Sequence, residues 1–108
     1  MDIATSPLAR PFPEMPAIKG VALRTVCAGY KNWQRADLSF VELSEGTSVA
    51  GVLTTSKCPS PEVEHCRRAL AQGTARALLV NAGNANAFTG SRGRAAVAMM
   101  AEKTAGHL

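Results

Sequence analysis

The chain has 108 residues with a formal net charge of +4, 46% hydrophobic residues and 19% charged residues. This length allows one small domain, and the composition is that of a globular protein rather than a disordered one. Aromatic residues make up 5%, so the apolar side chains are mostly Val, Leu, Ala and Met. A domain with so few aromatic residues would gain stability from packing against another chain.

The positive charge is scattered along the sequence. The close basic pairs are Arg67–Arg68 and Arg92/Arg94, and no aromatic platform accompanies either pair. A nucleic-acid interface needs a clustered basic stripe, so we expect no nucleic-acid partner. The charge indicates an ordinary surface or attraction for small carboxylate substrates.

The three cysteines, Cys27, Cys58 and Cys66, lack CxxC spacing. An odd number without that spacing argues against a disulfide framework and against a zinc site, although His65 beside Cys66 is a weak metal signal. We expect no metal and no cofactor, and reduced thiols in the cytoplasm. The N-terminus has no apolar signal-peptide core, and no stretch approaches the ~18 apolar residues of a membrane span.

The first half of the chain predicts an arm followed by strands. Four of the six prolines fall in the first 16 residues, which predicts an extended arm over 1–17 and a domain over 18–108. Alternating and β-branched residues then predict three strands joined by turns too short for parallel crossovers, and therefore an antiparallel meander. These strands are Val21 to Tyr30, Ala36 to Leu43 and Val49 to Ser56.

The second half predicts helix, buried strand and helix. The first helix has Ser60 as N-cap, Pro61 at its first position and Gly73 behind its end. A buried strand follows over Ala75 to Gly83, and a second helix over Ser91 to Leu108. The fold class is α+β, a mixed α/β sandwich. Because the pattern stops directly behind the last helix, we expect a partial domain, truncated at its C-terminal end.

The loop between this strand and helix reads NAGNANAFTG, from Asn81 to Gly90. Thr89 and Gly90 place a hydroxyl next to a backbone N–H just before a helix N-terminus, which suits an oxyanion hole. The alternative is a helix-entry turn with Thr89 or Ser91 as N-cap. A phosphate loop would need the G-x-x-x-x-G-K-[ST] spacing, which is absent, as is G-x-G-x-x-G.

Two long segments resemble a known family. They are GVALRTVCAGYKNWQRADLSFVELSEGTSVAGVLTTS and ARALLVNAGNANAFTGSRG, which lie between about Lys19 and Gly93. The chain resembles the N-terminal part of the first (alpha) chain in the ornithine acetyltransferase (glutamate N-acetyltransferase) family of arginine biosynthesis. NAGNANAFTG is the most specific match, and AGVLTTS is similar to a second family stretch.

The resemblance implies a self-processing enzyme with an N-terminal-nucleophile-like fold. The precursor cleaves before a Thr, which becomes the nucleophile of a second (beta) chain. This nucleophile moves an acetyl group from N-acetylornithine to glutamate by a ping-pong route, with acetyl-CoA as a further candidate donor. Two alpha and two beta chains form a heterotetramer. Thr89 and Gly90 take the oxyanion-hole role, and Asn81, Asn84 and Asn86 hold the loop or contact substrate.

The departures from the family pattern also carry expectations. The nucleophilic Thr and the segment before it are absent from these residues, and Thr104 in EKTAGHL has the wrong surroundings. The 108-residue chain alone is therefore expected to be inactive and to need the second chain as its partner. Two alternatives remain: a non-catalytic fragment or binding module, and a side-branch acyltransferase with another acyl substrate, because VCAGYK and KCPSPEV differ from the usual family wording.

Overall fold

The computed structural model describes residues 5–83 and 85–108 and contains one sheet and two helices. The three strands form an antiparallel sheet in the order β1-β2-β3, and the two helices contact each other. The expected α+β class is confirmed. The elements in chain order are β1 (Val21–Val26), β2 (Leu38–Leu43), α1 (Pro61–Leu70), β3 (Ala77–Asn81) and α2 (Gly90–Ala105).

The predicted third strand, Val49 to Ser56, is wrong. Ser48 forms an isolated antiparallel bridge with Thr74, but residues 49–56 belong to no strand. The physical reason is that β3 occupies the free edge of β2 and closes the meander in place of this segment. The segment instead contacts α1, which it precedes in the chain: the Arg67 guanidinium donates to the Thr54 carbonyl at 3.0 Å.

The strand after α1 is present but shorter and less buried than predicted. It runs from Ala77 to Asn81, and the Leu78 and Val80 side chains are 51% and 50% exposed. β3 lies at the edge of the sheet, so it lacks a neighbour on one side. An apolar run does not distinguish an edge strand from a central one.

One face of the sheet is apolar and exposed. Leu23 pairs with Val41, and Val41 pairs with Leu78 across the two ladders. Since side chains in strands alternate between faces, these residues share a face with Val80. We call Leu23, Val41, Leu78 and Val80 the apolar sheet face. Leu23 is 71% exposed, so the described residues leave this face largely uncovered.

The described residues enclose no hydrophobic core. Pro61 is the one buried apolar side chain among them, and the chain exposes 9196 Å². A folded monomer of 11.3 kDa exposes roughly 5,700 Å² by the usual scaling. The apolar surfaces of the sheet and of the helix pair would therefore be stabilised by further protein.

The N-terminal segment adds nothing to a core. Residues 5–17 include no helix or strand, and Leu8 and Phe12 are 89% and 97% exposed. The boundary between arm and domain at residue 18 stays a prediction. In the part of the chain that the structure describes, no helix has the length and apolar character that crossing a membrane requires.

Candidate functional site

The Asn/Gly loop, residues 82–89, is held against the β1–β2 loop, residues 27–37, where it leaves β3. The Ala82 N–H donates to the Asp37 carbonyl at 2.8 Å. The next residue, Gly83, has φ +146°, and a β-carbon there would lie 3.3 Å from the Tyr30 β-carbon. Such a backbone angle and so close an approach both favour glycine. The start of the Asn/Gly loop is thus fixed by a hydrogen bond and by a tight packing contact.

The end of the loop is a compact group of three residues. The Thr89 hydroxyl donates to the Asn86 carbonyl at 2.9 Å, and the Asn86 side-chain amide donates to the Gly93 carbonyl at 3.4 Å. The Gly93 N–H donates to the Thr89 carbonyl at 3.3 Å. Thr89 occupies the N-cap position of α2, but its side chain makes no capping hydrogen bond. Thr89 therefore has the position that the helix-entry alternative predicts, but it does not make the capping hydrogen bond.

Gly90, the first residue of α2, has an open surrounding. Its φ is +58°, and apart from its chain neighbours and the backbone of its own helix, no heavy atom lies within 4 Å of the position that a β-carbon would take. The first N–H groups of a helix have no partner inside the helix, and the helix dipole makes them positive. The Gly90 N–H is consequently of the type that stabilises an oxyanion.

Thr89 is adjacent to Gly90 but points its proton elsewhere. The bond to the Asn86 carbonyl uses the single proton of the Thr89 hydroxyl. To donate to a substrate oxyanion, the hydroxyl must turn away from that carbonyl. The pair predicted from the sequence is contiguous in the structure, with one donor on the backbone and the other held by the loop.

The asparagines differ in position. Asn81 ends β3 and is exposed, while Asn86 is half-buried and is bonded to Gly93. Both line an open depression of about 340 Å³. Asn84 lies outside the described residues. The other lining residues of the depression are Ser60, Glu62, Gly83 and Ala85.

Sequence reasoning missed Asp37, which it treated as part of the second strand. This residue is 4% exposed, and its carboxylate accepts hydrogen bonds from the Ala28 N–H at 2.5 Å and the Tyr30 N–H at 2.9 Å. The bond from Ala28 is the main cause that holds the pKa of Asp37 below its ordinary 3.8, while desolvation opposes it. The signal in the sequence was a lone carboxylate at the entrance of an apolar strand, behind a loop that contains Gly29.

Other reactive side chains do not gather into a centre. Cys27 and Cys58 are exposed, Cys66 is half-buried, and all three thiols are free. Over 5–83 and 85–108, no three side chains among His, Cys, Asp and Glu are grouped so that they would hold a metal ion. In the β1–β2 loop, the Arg35 guanidinium lies 4.2 Å from the centroid of the Trp33 ring.

Two solved structures have a fold similar to that of this chain. A crystal structure of ornithine acetyltransferase from Mycobacterium tuberculosis, complexed with ornithine, superposes with a TM-score of 0.67 at 33% identity. The match covers 71% of this chain and 40% of that one. The arginine biosynthesis bifunctional protein ArgJ from Bacillus halodurans gives a TM-score of 0.66 at 32% identity, with the same shares covered.

The sequence comparisons show the family. Residues 22–108 match the model of the ArgJ family, and the chain belongs to that family. It is 62% identical over 104 residues to the arginine biosynthesis bifunctional protein ArgJ of Zymomonas mobilis, which covers 95% of this chain and 25% of the relative. The ArgJ of Agrobacterium fabrum is 49% identical over 106 residues, covering 97% of this chain and 26% of the relative.

The resemblance to the ornithine acetyltransferase family is thereby confirmed. The chain spans about a quarter of the length of the curated relatives it matches. Three quarters of the residues in those relatives consequently have no counterpart among these 108.

Proposed function

We propose that this chain is the N-terminal segment of an acetyltransferase of arginine biosynthesis that moves an acetyl group from N-acetylornithine to glutamate. Two findings support the reaction. The relatives carry the name arginine biosynthesis bifunctional protein ArgJ, and the M. tuberculosis neighbour is an ornithine acetyltransferase with ornithine bound. Acetyl-CoA is a second donor in this proposal, which would give one enzyme two activities.

The segment contributes the oxyanion hole. The observation that carries this assignment is the place of Gly90: it is the first residue of α2, directly behind Thr89, where helix N–H groups have no partner inside the helix. Its N–H and the Thr89 hydroxyl together donate to the oxygen that becomes negative when the acetyl carbon is attacked. The Gly90 N–H is fixed by the backbone, and a donor already in place lowers the barrier because little reorganisation is needed as the charge develops.

In this proposal the Thr89 hydroxyl exchanges its hydrogen-bond partner, the Asn86 carbonyl, for the oxyanion. Its proton is satisfied by the Asn86 carbonyl in the structure, so the hydroxyl keeps a defined position. The Asn86 side chain is held in turn by Gly93. In this proposal Asn81, Asn84 and Asn86 serve as the scaffold of the loop and do not act on the substrate.

The nucleophile comes from the remainder of the protein. A threonine hydroxyl, freed at the start of a second chain by autocatalytic cleavage, attacks the acetyl carbon of N-acetylornithine. The C–N bond breaks, ornithine leaves with a proton on its amine, and an acetyl ester remains on the threonine. The glutamate amine attacks this ester and regenerates the hydroxyl. The reaction needs no cofactor, takes place in the cytoplasm and is carried out by two alpha and two beta chains.

The test is an assay of the complete gene product that contains this segment. Ornithine release from N-acetylornithine should depend on added glutamate, and intact-mass analysis should show two chains. The 108-residue segment purified alone should release none, because it lacks the nucleophile. A folded complete product that releases no ornithine would overturn the proposed reaction. Activity of the isolated segment would overturn the proposal that the nucleophile lies in the remainder of the protein.

A further inference from the structure

Asp37 joins the two loops that meet at the end of β3. Its carbonyl accepts the Ala82 N–H at 2.8 Å, at the first residue of the Asn/Gly loop. Its carboxylate accepts the N–H groups of Ala28 and Tyr30 in the β1–β2 loop. One residue therefore uses its main chain for one loop and its side chain for the other.

Asp37 is the only buried polar or charged residue among those that the structure describes. It is 4% exposed, and a charge removed from water is tolerated only when hydrogen bonds replace its hydration. Here each carboxylate oxygen receives a backbone N–H. Hydrogen bonds to a charged acceptor are shorter and about twice as strong as neutral ones. The conformation of residues 28–30 is consequently set by Asp37.

The backbone conformation of residues 28–30 places the Tyr30 side chain against the Asn/Gly loop. Its β- and γ-carbons lie 3.3 Å and 3.8 Å from the position that a β-carbon on Gly83 would take. A side chain at Gly83 would be tight against Tyr30, and one of the two would have to yield by a few tenths of an ångström. A shift of Tyr30 would therefore be transmitted to the Gly83 backbone.

We propose that Asp37 is a positioning residue of the Asn/Gly loop. Through Ala82 and Tyr30 it fixes how the loop leaves β3, and so how Thr89 and Gly90 are presented at its other end. Asp37 itself touches no substrate. The inference rests on the proposed oxyanion role of Thr89 and Gly90. It adds that a buried carboxylate in another loop positions those two donors.

A double-mutant cycle in the complete gene product tests the coupling. Asp37→Asn keeps the shape but turns an amide toward a backbone N–H. It should lower kcat about tenfold while KM for N-acetylornithine changes less than about twofold. In a Thr89→Ala background the same substitution should change kcat less than about twofold, because the donor it positions is already lost. Additive effects would mean a general structural role and would overturn the inference.

The matched control is Glu45→Gln, the same chemical change at an exposed residue in the turn after β2. It should leave kcat and KM unchanged in both backgrounds. A Glu45→Gln effect on kcat equal to that of Asp37→Asn would overturn the inference, since the response would then follow from net charge alone.

Hydrogen exchange supplies a readout that does not depend on activity. Amides of residues 82–90 should exchange about tenfold faster in Asp37→Asn, while those in the C-terminal half of α2 keep their rates. Tyr30→Ala retains the Asp37 hydrogen bonds and removes the ring beside Gly83, so it should show the same local effect, and it decides the case if Asp37→Asn does not fold. Unchanged exchange in the loop would overturn the positioning role. If the wild-type complete product is inactive but Asp37→Asn still speeds hydrogen exchange in the loop, the proposed function is refuted and the positioning role remains supported.

Discussion

Gly93 lies directly beneath Thr89: a β-carbon at Gly93 would overlap the Thr89 hydroxyl oxygen and come 2.8 Å from the Thr89 β-carbon and 2.9 Å from the Asn86 side-chain oxygen. No side chain fits at that distance. The first turn of α2 therefore requires glycine at this position so that Thr89 and Asn86 can fold back over the helix. The candidate oxyanion donor depends on a residue four positions further along the chain.

Gly93→Ala should accordingly displace Thr89 and lower the rate of acetyl transfer by about tenfold or more in the complete gene product. Alanine favours the helix by about 1 kcal/mol over glycine, but overpacking costs about 1–3 kcal/mol, so the unfolding free energy should fall or stay level. Activity assays and urea denaturation measure the two effects.

The control for Gly93→Ala is Gly106→Ala at the other end of the helix. A β-carbon there would meet only carbonyl oxygens at 3.6 Å, and the backbone is right-handed with φ −66°. This variant should be neutral or more stable by about 0.4–1 kcal/mol. Equal rates for both variants would show that the Gly93 contact does not matter.

Thr89→Ala in the complete gene product should lower the acetyl-transfer rate about 10²-fold, the usual loss for one oxyanion donor. Thr89→Ser keeps the hydroxyl and should retain most of the rate. Steady-state kinetics with N-acetylornithine and glutamate distinguish the two. An unchanged rate in Thr89→Ala would refute the assignment of this residue.

Gly90→Ala tests the backbone rather than a contact. The position is open, so no clash opposes the methyl group, but φ +58° disfavours an L-residue by about 1–2 kcal/mol. We expect a loss of stability of that size, and a smaller loss for Gly90→Asn because asparagine tolerates this angle. Thermal denaturation of both variants measures the difference, and an equal loss would argue against the left-handed conformation.

The lowered pKa of Asp37 predicts that the free energy of unfolding depends on pH. Its folded-state pKa lies below the ordinary 3.8, so its carboxylate stabilises the folded state above that value. The contribution is lost as the pH falls from about 4 through the folded pKa. Asp37→Asn should therefore be less stable than wild type at pH 7, and the gap should narrow below pH about 4. Urea titrations at pH 7 and pH 3 check this, with Glu45→Gln as control; a constant gap would contradict the assignment.

The exposed sheet face predicts self-association of the isolated segment. Leu23, Leu78 and Val80 are each at least 50% exposed on one face, and contiguous apolar surface of this kind drives association. The 108-residue segment should dimerise or aggregate in light scattering at high concentration. Leu23→Lys together with Leu78→Lys should shift it toward monomer, and a monodisperse wild-type monomer would contradict the prediction.

Local pattern was sufficient for several elements. The helix start at Ser60–Pro61 and the strand over Leu38–Leu43 appear where capping residues and alternation indicate them. The second helix was predicted from Ser91 and begins at Gly90. These signals are local because helix and strand periodicity depend on neighbouring residues. The Thr89–Gly90 pair was found in the same way, as a hydroxyl and a glycine before a helix.

What the sequence by itself determined is the two helices, the approximate places of β1, β2 and β3, the α+β class and the family, and it supplied Thr89 and Gly90 as candidate donors. Only the tertiary structure decided that β3 rather than residues 49–56 pairs with β2, and that Asp37 is buried between two loops. Strand partners and buried hydrogen bonds join residues far apart in the chain, so no local periodicity encodes them. The requirement for glycine at Gly93 was equally invisible to local pattern, because it arises from the way Thr89 and Asn86 fold over α2.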